Sequence, residues 1–158
     1  NHESPRRGVN FVTKKIVQGL TRIKQGKQKN LILGNLYSRR DWGHAKDYVE
    51  SMWKILQQKK PDDFVIATHT SHSVKDFINI CSKKLGIKLL WKNKGLDEIG
   101  IDKESNKTII RINKKYFRET EVDDLIGDFS KAKRLLKWKP KYSFNKLVDD
   151  MIEKETHE

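Results

Sequence analysis

The sequence predicts an α/β protein, and three observations predict it. Short apolar runs of strand length recur along the chain. Longer segments whose apolar residues fall at i, i+3, i+4 and i+7 alternate with them. Serine and aspartate cap signals stand where those longer segments begin. At 158 residues a single domain is expected, burying ~68–70% of its unfolded surface. The chain carries 34 Lys plus Arg against 21 Asp plus Glu, a net charge of +13. The lysines are scattered in loops and at helix ends beside acidic residues, a pattern of solvated surface, so no nucleic-acid partner is predicted. No stretch approaches the ~20 apolar residues of a membrane span, so no membrane partner is predicted either. A lone cysteine, Cys81, excludes an internal disulfide and fits a reducing, cytoplasmic setting. The polar opening at Asn1 is read as an interior piece of a longer protein.

The elements follow in order. Val12, Ile16, Leu20 and Ile23 predict a helix over 11–24, closed by Gly26. Leu31-Ile32-Leu33 is a strand, and 35–40 a loop. Asp41 is expected to cap a helix over 42–58 whose inward face is Ala45, Val49, Met52, Trp53 and Leu56. Phe64-Val65-Ile66-Ala67 reads as a buried strand. Ser73 with Asp76 forms a capping box for a helix burying Val74, Phe77, Ile78 and Cys81. Leu89-Leu90-Trp91 and 108–112 are strands, with 92–106 a loop between them. Ser130 is expected to cap a helix over 131–136. Ser143 opens the last helix, burying Phe144, Leu147, Val148, Met151 and Ile152.

Three clusters could carry chemistry. In Asn1-His2-Glu3-Ser4-Pro5-Arg6-Arg7-Gly8, paired arginines before a helix make an anion cradle or a charged loop. Arg39-Arg40-Asp41-Trp42 offers a phosphate grip or a surface Arg–Asp pair. Around Arg118 and Glu121, a diphosphate and sugar site competes with a salt-bridged loop. His69-x-x-His72 lacks a third ligand, so no metal is predicted. Tyr142-Ser143-Phe144-Asn145-Lys146 has the Tyr-x-x-x-Lys spacing of dehydrogenases. Its tyrosine precedes the cap Ser143, so tyrosine and lysine do not share a helical face, and no catalytic residue is assigned.

Laid side by side, several blocks resemble the GDP-mannose 4,6-dehydratase family. They are Asn1 to Gly8, Phe11-Val12-Thr13-Lys14-Lys15-Ile16, Leu33-Gly34-Asn35-Leu36, Arg40 to Glu50, Phe64 to Thr68, His72-Ser73-Val74, Tyr116-Phe117-Arg118, Thr120 to Asp123 and Trp138-Lys139-Pro140. The resemblance runs over essentially all 158 residues and matches roughly the C-terminal half of such enzymes. It implies the tail of a Rossmann-type sheet plus a small substrate-binding α/β domain of an extended short-chain dehydrogenase/reductase. Residues 1–158 would form the substrate-binding portion, without the NADP-binding N-terminal half.

The implied activity is conversion of GDP-mannose to GDP-4-keto-6-deoxymannose, the first step toward GDP-fucose, with NADP as cofactor. By the same resemblance, His2 and Arg7 match NADP contacts, and Asn1 a position near the substrate. Val12 and Lys15 match guanine-nucleotide contacts, Arg40 and Arg118 the diphosphate clamp, and Glu121 a residue near the nucleotide sugar. A dimer or tetramer is implied for the full-length enzyme. Three positions depart from the family: Glu119 for proline, Tyr37 for aspartate and His69 for glycine. The chain carries no glycine-rich phosphate loop and no helical Tyr-x-x-x-Lys, so the isolated chain is expected to be inactive. The alternatives are a basic, non-enzymatic module for anions or nucleic acid, and a dehydratase or epimerase for another nucleotide sugar.

Overall fold

The computed structural model describes residues 1–117 and 122–157. Three helices form one layer: α1 (Val12–Lys24), α3 (Val74–Lys84) and α5 (Phe144–Thr156). Each turns an apolar stripe to the others, and Ile16, Val17, Leu20, Phe77, Ile78, Leu147, Val148 and Met151 are sealed between them. Gly19 admits β2 (Leu31–Leu33) against α1, because a Cβ there would lie 2.8 Å from Leu31 Cδ1. The predicted capping box is present: Ser73 Oγ accepts from Asp76 N, and Asp76 Oδ2 accepts from Ser73 N. Ser143 Oγ likewise accepts from Lys146 N at the start of α5, which leaves Tyr142 outside the helix.

The layer backs a four-stranded sheet. Its order is β2, β8 (Lys107–Ile112), β7 (Ile99–Asp102), β6 (Leu89–Lys92). β2 runs parallel to β8, pairing Leu31 with Ile110, while β8, β7 and β6 form an antiparallel meander. A second sheet joins β3 (Arg39–Arg40) antiparallel to β5 (His72–Ser73) and parallel to β9 (Asp124–Leu125). A third pairs β1 (His2–Glu3) with β4 (Gly43–His44). A satellite core of Ala132, Leu136 and Trp138 sits beneath α4 (Ser130–Leu136).

Several expectations need correction. The loop expected over 92–106 contains β7, built on Ile99 and Ile101 alternating with glycine and aspartate. Arg39 and Arg40, expected in a loop, form a strand because two neighbours offer ladder partners. Asp41 is no helix cap: α2 spans Ala45–Leu56 and its N-cap is His44, whose ring Nδ1 accepts from Lys46 N. Buried Asp41 instead ties loops together, accepting from Thr68 N, Thr68 Oγ1, His69 N and Gly127 N. Ser130 lies inside α4, and Asp128 Oδ1 accepts from its amide.

The largest correction concerns α2 and the segment after it. Val49, Met52, Trp53 and Leu56 were expected inside, yet they are 62%, 55%, 62% and 80% exposed. The inward face is mixed: Tyr48 sets its ring edge-on to Trp138, Asp47 Oδ2 accepts from the amides of Lys141 and Tyr142, and Ser51 Oγ donates to Tyr48 O. Residues 64–67, expected as a buried strand, belong to no regular element, and no strand among the described residues pairs with them. Among the described residues no helix is long and apolar enough to cross a membrane.

Candidate nucleotide-sugar cleft

Parallel strands leave their carboxyl ends open, and ligands collect there. Here the end of β2 continues into Gly34 and Asn35, and the chain after β8 reaches Tyr116. Between them opens a cleft lined by Asn1, Arg7, Val12, Lys15 and Arg40, together with Gly34, Asn35, Trp42 and Tyr116. Five of the eight residues singled out by resemblance therefore meet in one place, from three separate parts of the chain. Arg118 and Glu121 lie outside the described residues. His2 does not line this cleft; its ring lies beside Tyr48, with centroids 5.5 Å apart.

Each cation is positioned by a distinct device. Arg40 is anchored by its Nη1, which donates to Arg39 O and Val122 O, both at 2.7 Å. Its neighbour Arg39 turns the other way: its Nη2 donates to Ser71 O, and Asp76 and Asp124 lie at 3.7 and 3.8 Å. The tandem thus divides into one structural arginine and one cleft arginine. Lys15 projects from the first turn of α1 with its Nζ 4.4 Å from the centre of the Tyr116 ring. Arg7 lies over the Phe11 ring at 3.3 Å, with its Nε 3.1 Å from Glu3 Oε2.

Glu3 tempers this basic wall. Thr13 Oγ1 donates to its Oε2 at 2.6 Å. Burial pushes its carboxyl above the ordinary range, against the pull of Thr13 and Arg7. His2 is held below the usual histidine value by partial desolvation and by Arg7. Among the described residues the cleft therefore presents Arg7, Lys15 and Arg40 around the buried carboxyl of Glu3, which suits a diphosphate. A wider groove between the end of α1 and the β7–β8 turn is basic too, mixing Lys24, Lys29, Lys107 and Arg111 with Asp102 and Glu104, but none of the residues singled out by resemblance lines it.

Gly34 and Tyr116 stand in blocks that carry the resemblance, but neither was given a site role from the sequence. A Cβ on Gly34 would collide with the Tyr116 carbonyl oxygen, so the strand end and the Tyr116 turn touch only because residue 34 is glycine. The legible signal was a glycine directly after a strand. Tyr37 has a structural task. Its hydroxyl donates to Glu98 Oε2 at 2.6 Å, which raises its pKa, and Lys75 Nζ donates to the other oxygen. Glu98 is 1% exposed, so this bridge braces the 34–38 loop against the meander. His72 stacks on Phe144 with centroids 3.8 Å apart, and His69 faces Phe129. Among the described residues no three His, Cys, Asp or Glu side chains group as a metal site.

Comparison with known proteins gives the following. A family model described as GDP-mannose 4,6 dehydratase matches residues 1–151. A GDP-mannose 4,6 dehydratase of Drosophila melanogaster is 52% identical over 152 residues, covering 96% of this chain and 38% of that protein. One of Homo sapiens is 49% identical over 152 residues, covering 96% and 41%. The solved structure of RMD from Pseudomonas aeruginosa complexed with NADPH aligns with a TM-score of 0.79 at 15% identity, covering 99% of this chain and 46% of that one. The chain spans about two-fifths of the length of these curated relatives.

Proposed function

Since the chain belongs to the GDP-mannose 4,6-dehydratase family, we propose that it is the nucleotide-sugar-binding portion of such an enzyme. On this reading the complete enzyme converts GDP-mannose to GDP-4-keto-6-deoxymannose. The single observation that carries the reading is the convergence of Asn1, Arg7, Val12, Lys15 and Arg40 on one cleft. Arg40 and Lys15 neutralise the diphosphate, Arg40 through its planar fork and Lys15 as a point charge. Val12 offers the purine an apolar contact beside the Tyr116 ring. Arg118 is the second arm of the clamp and Glu121 a sugar contact. Two of its flanking residues border the site: Tyr116 lines the cleft, and Val122 O accepts from Arg40.

NADP is proposed as the cofactor of the complete enzyme, in keeping with the NADPH bound by the Pseudomonas aeruginosa neighbour. When bound, such a cofactor takes a hydride from the sugar and returns it. The matched residues do not compose a dinucleotide seat. Arg7 is engaged by Glu3 and Phe11, and His2 lies outside the cleft against Tyr48. They form an edge of the cofactor site, with its main seat in the family's remaining length. Tyr142 and Lys146 supply no base: Tyr142 precedes the α5 cap and stacks on His44 at 3.9 Å.

The test is calorimetry with GDP-mannose, GDP and duplex DNA at two salt concentrations. GDP and GDP-mannose are expected to compete for one weak site, without turnover of the sugar. Salt-sensitive DNA binding that ignores nucleotide sugars overturns the reading and favours a basic binding module. Sustained dehydration of GDP-mannose by the isolated chain overturns the expectation of inactivity.

A further inference from the structure

A cleft whose cations suit a diphosphate also holds a carboxyl. Glu3 lines it, is 3% exposed, and sits between Arg7 and the first turn of α1. Both of its contacts fall on one oxygen: Thr13 Oγ1 donates to Oε2 at 2.6 Å, and Arg7 Nε lies 3.1 Å from the same atom. The second contact is an ion pair without a hydrogen bond, since Arg7 Nε is buried and finds no acceptor among the described residues. Among the described residues Oε1 accepts no hydrogen bond. The Arg7 guanidinium rests on the Phe11 ring, and both side chains line the cleft.

Charged and titratable groups face Glu3 from several elements. Its own segment brings the amino group of Asn1, His2 and Arg7. From α1 come Thr13 and, along the same cleft, Lys15; β3 adds Arg40. Its ladder partner His44 on β4 commits its ring to Asp150. From α2, the Tyr48 phenol feels the charges of Glu3, Asp41 and Asp47 and is pushed up, chiefly by burial.

An ionised Glu3 repels an incoming dianion and cancels the charge of Arg7; a neutral Glu3 does neither. We propose that Glu3 is a proton-linked positioning residue for the diphosphate: as the anion enters, Oε1 takes a proton from solvent and the charge of Arg7 passes from Glu3 to the ligand. Oε2 remains an acceptor for Thr13, and Arg7 stays cationic throughout. The inference deepens the ligand reading of the Arg40 cleft and rests on it. Burial already pushes the Glu3 carboxyl above its ordinary 4.5, and an anion beside it pushes it further. Affinity is therefore highest in acid. It falls as pH climbs from the pKa of the free chain to the higher pKa of the complex, at most about tenfold per pH unit for one proton.

The probe is GDP-mannose. Its diphosphate is esterified at both ends and keeps its charge from about pH 5 to about pH 8, whereas the terminal phosphate of GDP titrates near pH ~6. Calorimetry of the chain in two buffers of different ionisation enthalpy counts the protons taken up per ligand. Uptake is expected in the wild type and none in Glu3→Gln, which keeps an acceptor for Thr13. Above the pKa of the complex, Glu3→Gln should bind more tightly than the wild type, by about tenfold for each unit the ligand adds to the Glu3 pKa. A residue that merely held the loop would lose affinity instead. Thr13→Val withdraws the hydroxyl that favours the ionised carboxyl, so the fall in affinity should move to higher pH.

GDP-mannose binding that is flat across this range, or equally steep in wild type and Glu3→Gln, overturns the proposal and leaves the ligand reading standing. Proton uptake that survives Glu3→Gln but is lost in His2→Asn assigns the proton to His2 and overturns it too. If Glu3→Gln fails to fold, the wild-type proton count and the Thr13→Val shift decide. No binding at any pH overturns the ligand reading and the proposal with it.

Discussion

Lys14 Nζ donates to Glu155 Oε2 at 2.6 Å, joining the first helix to the last through a pair whose side chains are 8% and 7% exposed. The same ammonium reaches Pro5 O at 3.2 Å, so the pair also holds down the loop that carries Arg7. Removing one member strands a charge in the interior. Glu155→Ala is therefore expected to cost ~3 kcal/mol in urea unfolding. Lys14→Met with Glu155→Leu together should recover most of that loss. A single variant at wild-type stability would show that the pair is solvated in solution.

Arg40 grips backbone carbonyls with one nitrogen while lining the cleft. Arg40→Lys keeps the charge and loses the fork, so GDP-mannose affinity by calorimetry should fall about tenfold, or ~1.4 kcal/mol. Arg40→Gln should fall further. Unfolding midpoints measured in parallel separate a ligand effect from a folding effect. Affinity that tracks stability across both variants would make Arg40 a structural residue.

His69 holds φ at +62°, in the left-handed region that favours glycine. Its ring nitrogen lies 3.3 Å from Gly127 O, which offsets part of the strain. His69→Gly is expected to stabilise the fold slightly, by at most ~1 kcal/mol. His69→Val should destabilise it by at least as much, since a β-branched residue tolerates this backbone poorly. Equal unfolding midpoints for the two variants would contradict the strained geometry.

Cys81 is fully buried on α3, and burial pushes its thiol up to about 12 from 9.0. Thiol reagents at pH 8 should modify it only as fast as the chain unfolds. Above pH 9 the unfolded chain releases a proton that the folded chain keeps, so stability declines as pH rises. The slope from this group is at most ~1.4 kcal/mol per pH unit. Cys81→Ala should flatten that part of the curve, measured as urea midpoint against pH.

Much of this architecture was readable in advance, and the misses share a cause. α1, α3 and α5 were legible because their stripes face one another within the chain and their caps are local. β7 was missed because Gly100 and Asp102 dilute a pattern that its meander neighbours supply. Asp41 looked like a helix cap, but its carboxylate is claimed by amides 27 and 86 positions away. The stripe of α2 was correctly seen as apolar and wrongly turned inward, because periodicity identifies a face without naming what covers it. For the cleft, Arg7, Lys15 and Arg40 came from resemblance rather than spacing. Charge alone left the two arginines poised between surface and site, and Tyr116 stood only as part of a resembling block, without a role of its own.

The parallel pairing of Leu31 with Ile110 has a kinetic side. β2 cannot form its ladder until β8 has been synthesised, and α1 stays partly uncovered until α5 arrives. Nascent chains of this protein therefore pass through a long interval with sticky, half-built helices before any cooperative collapse.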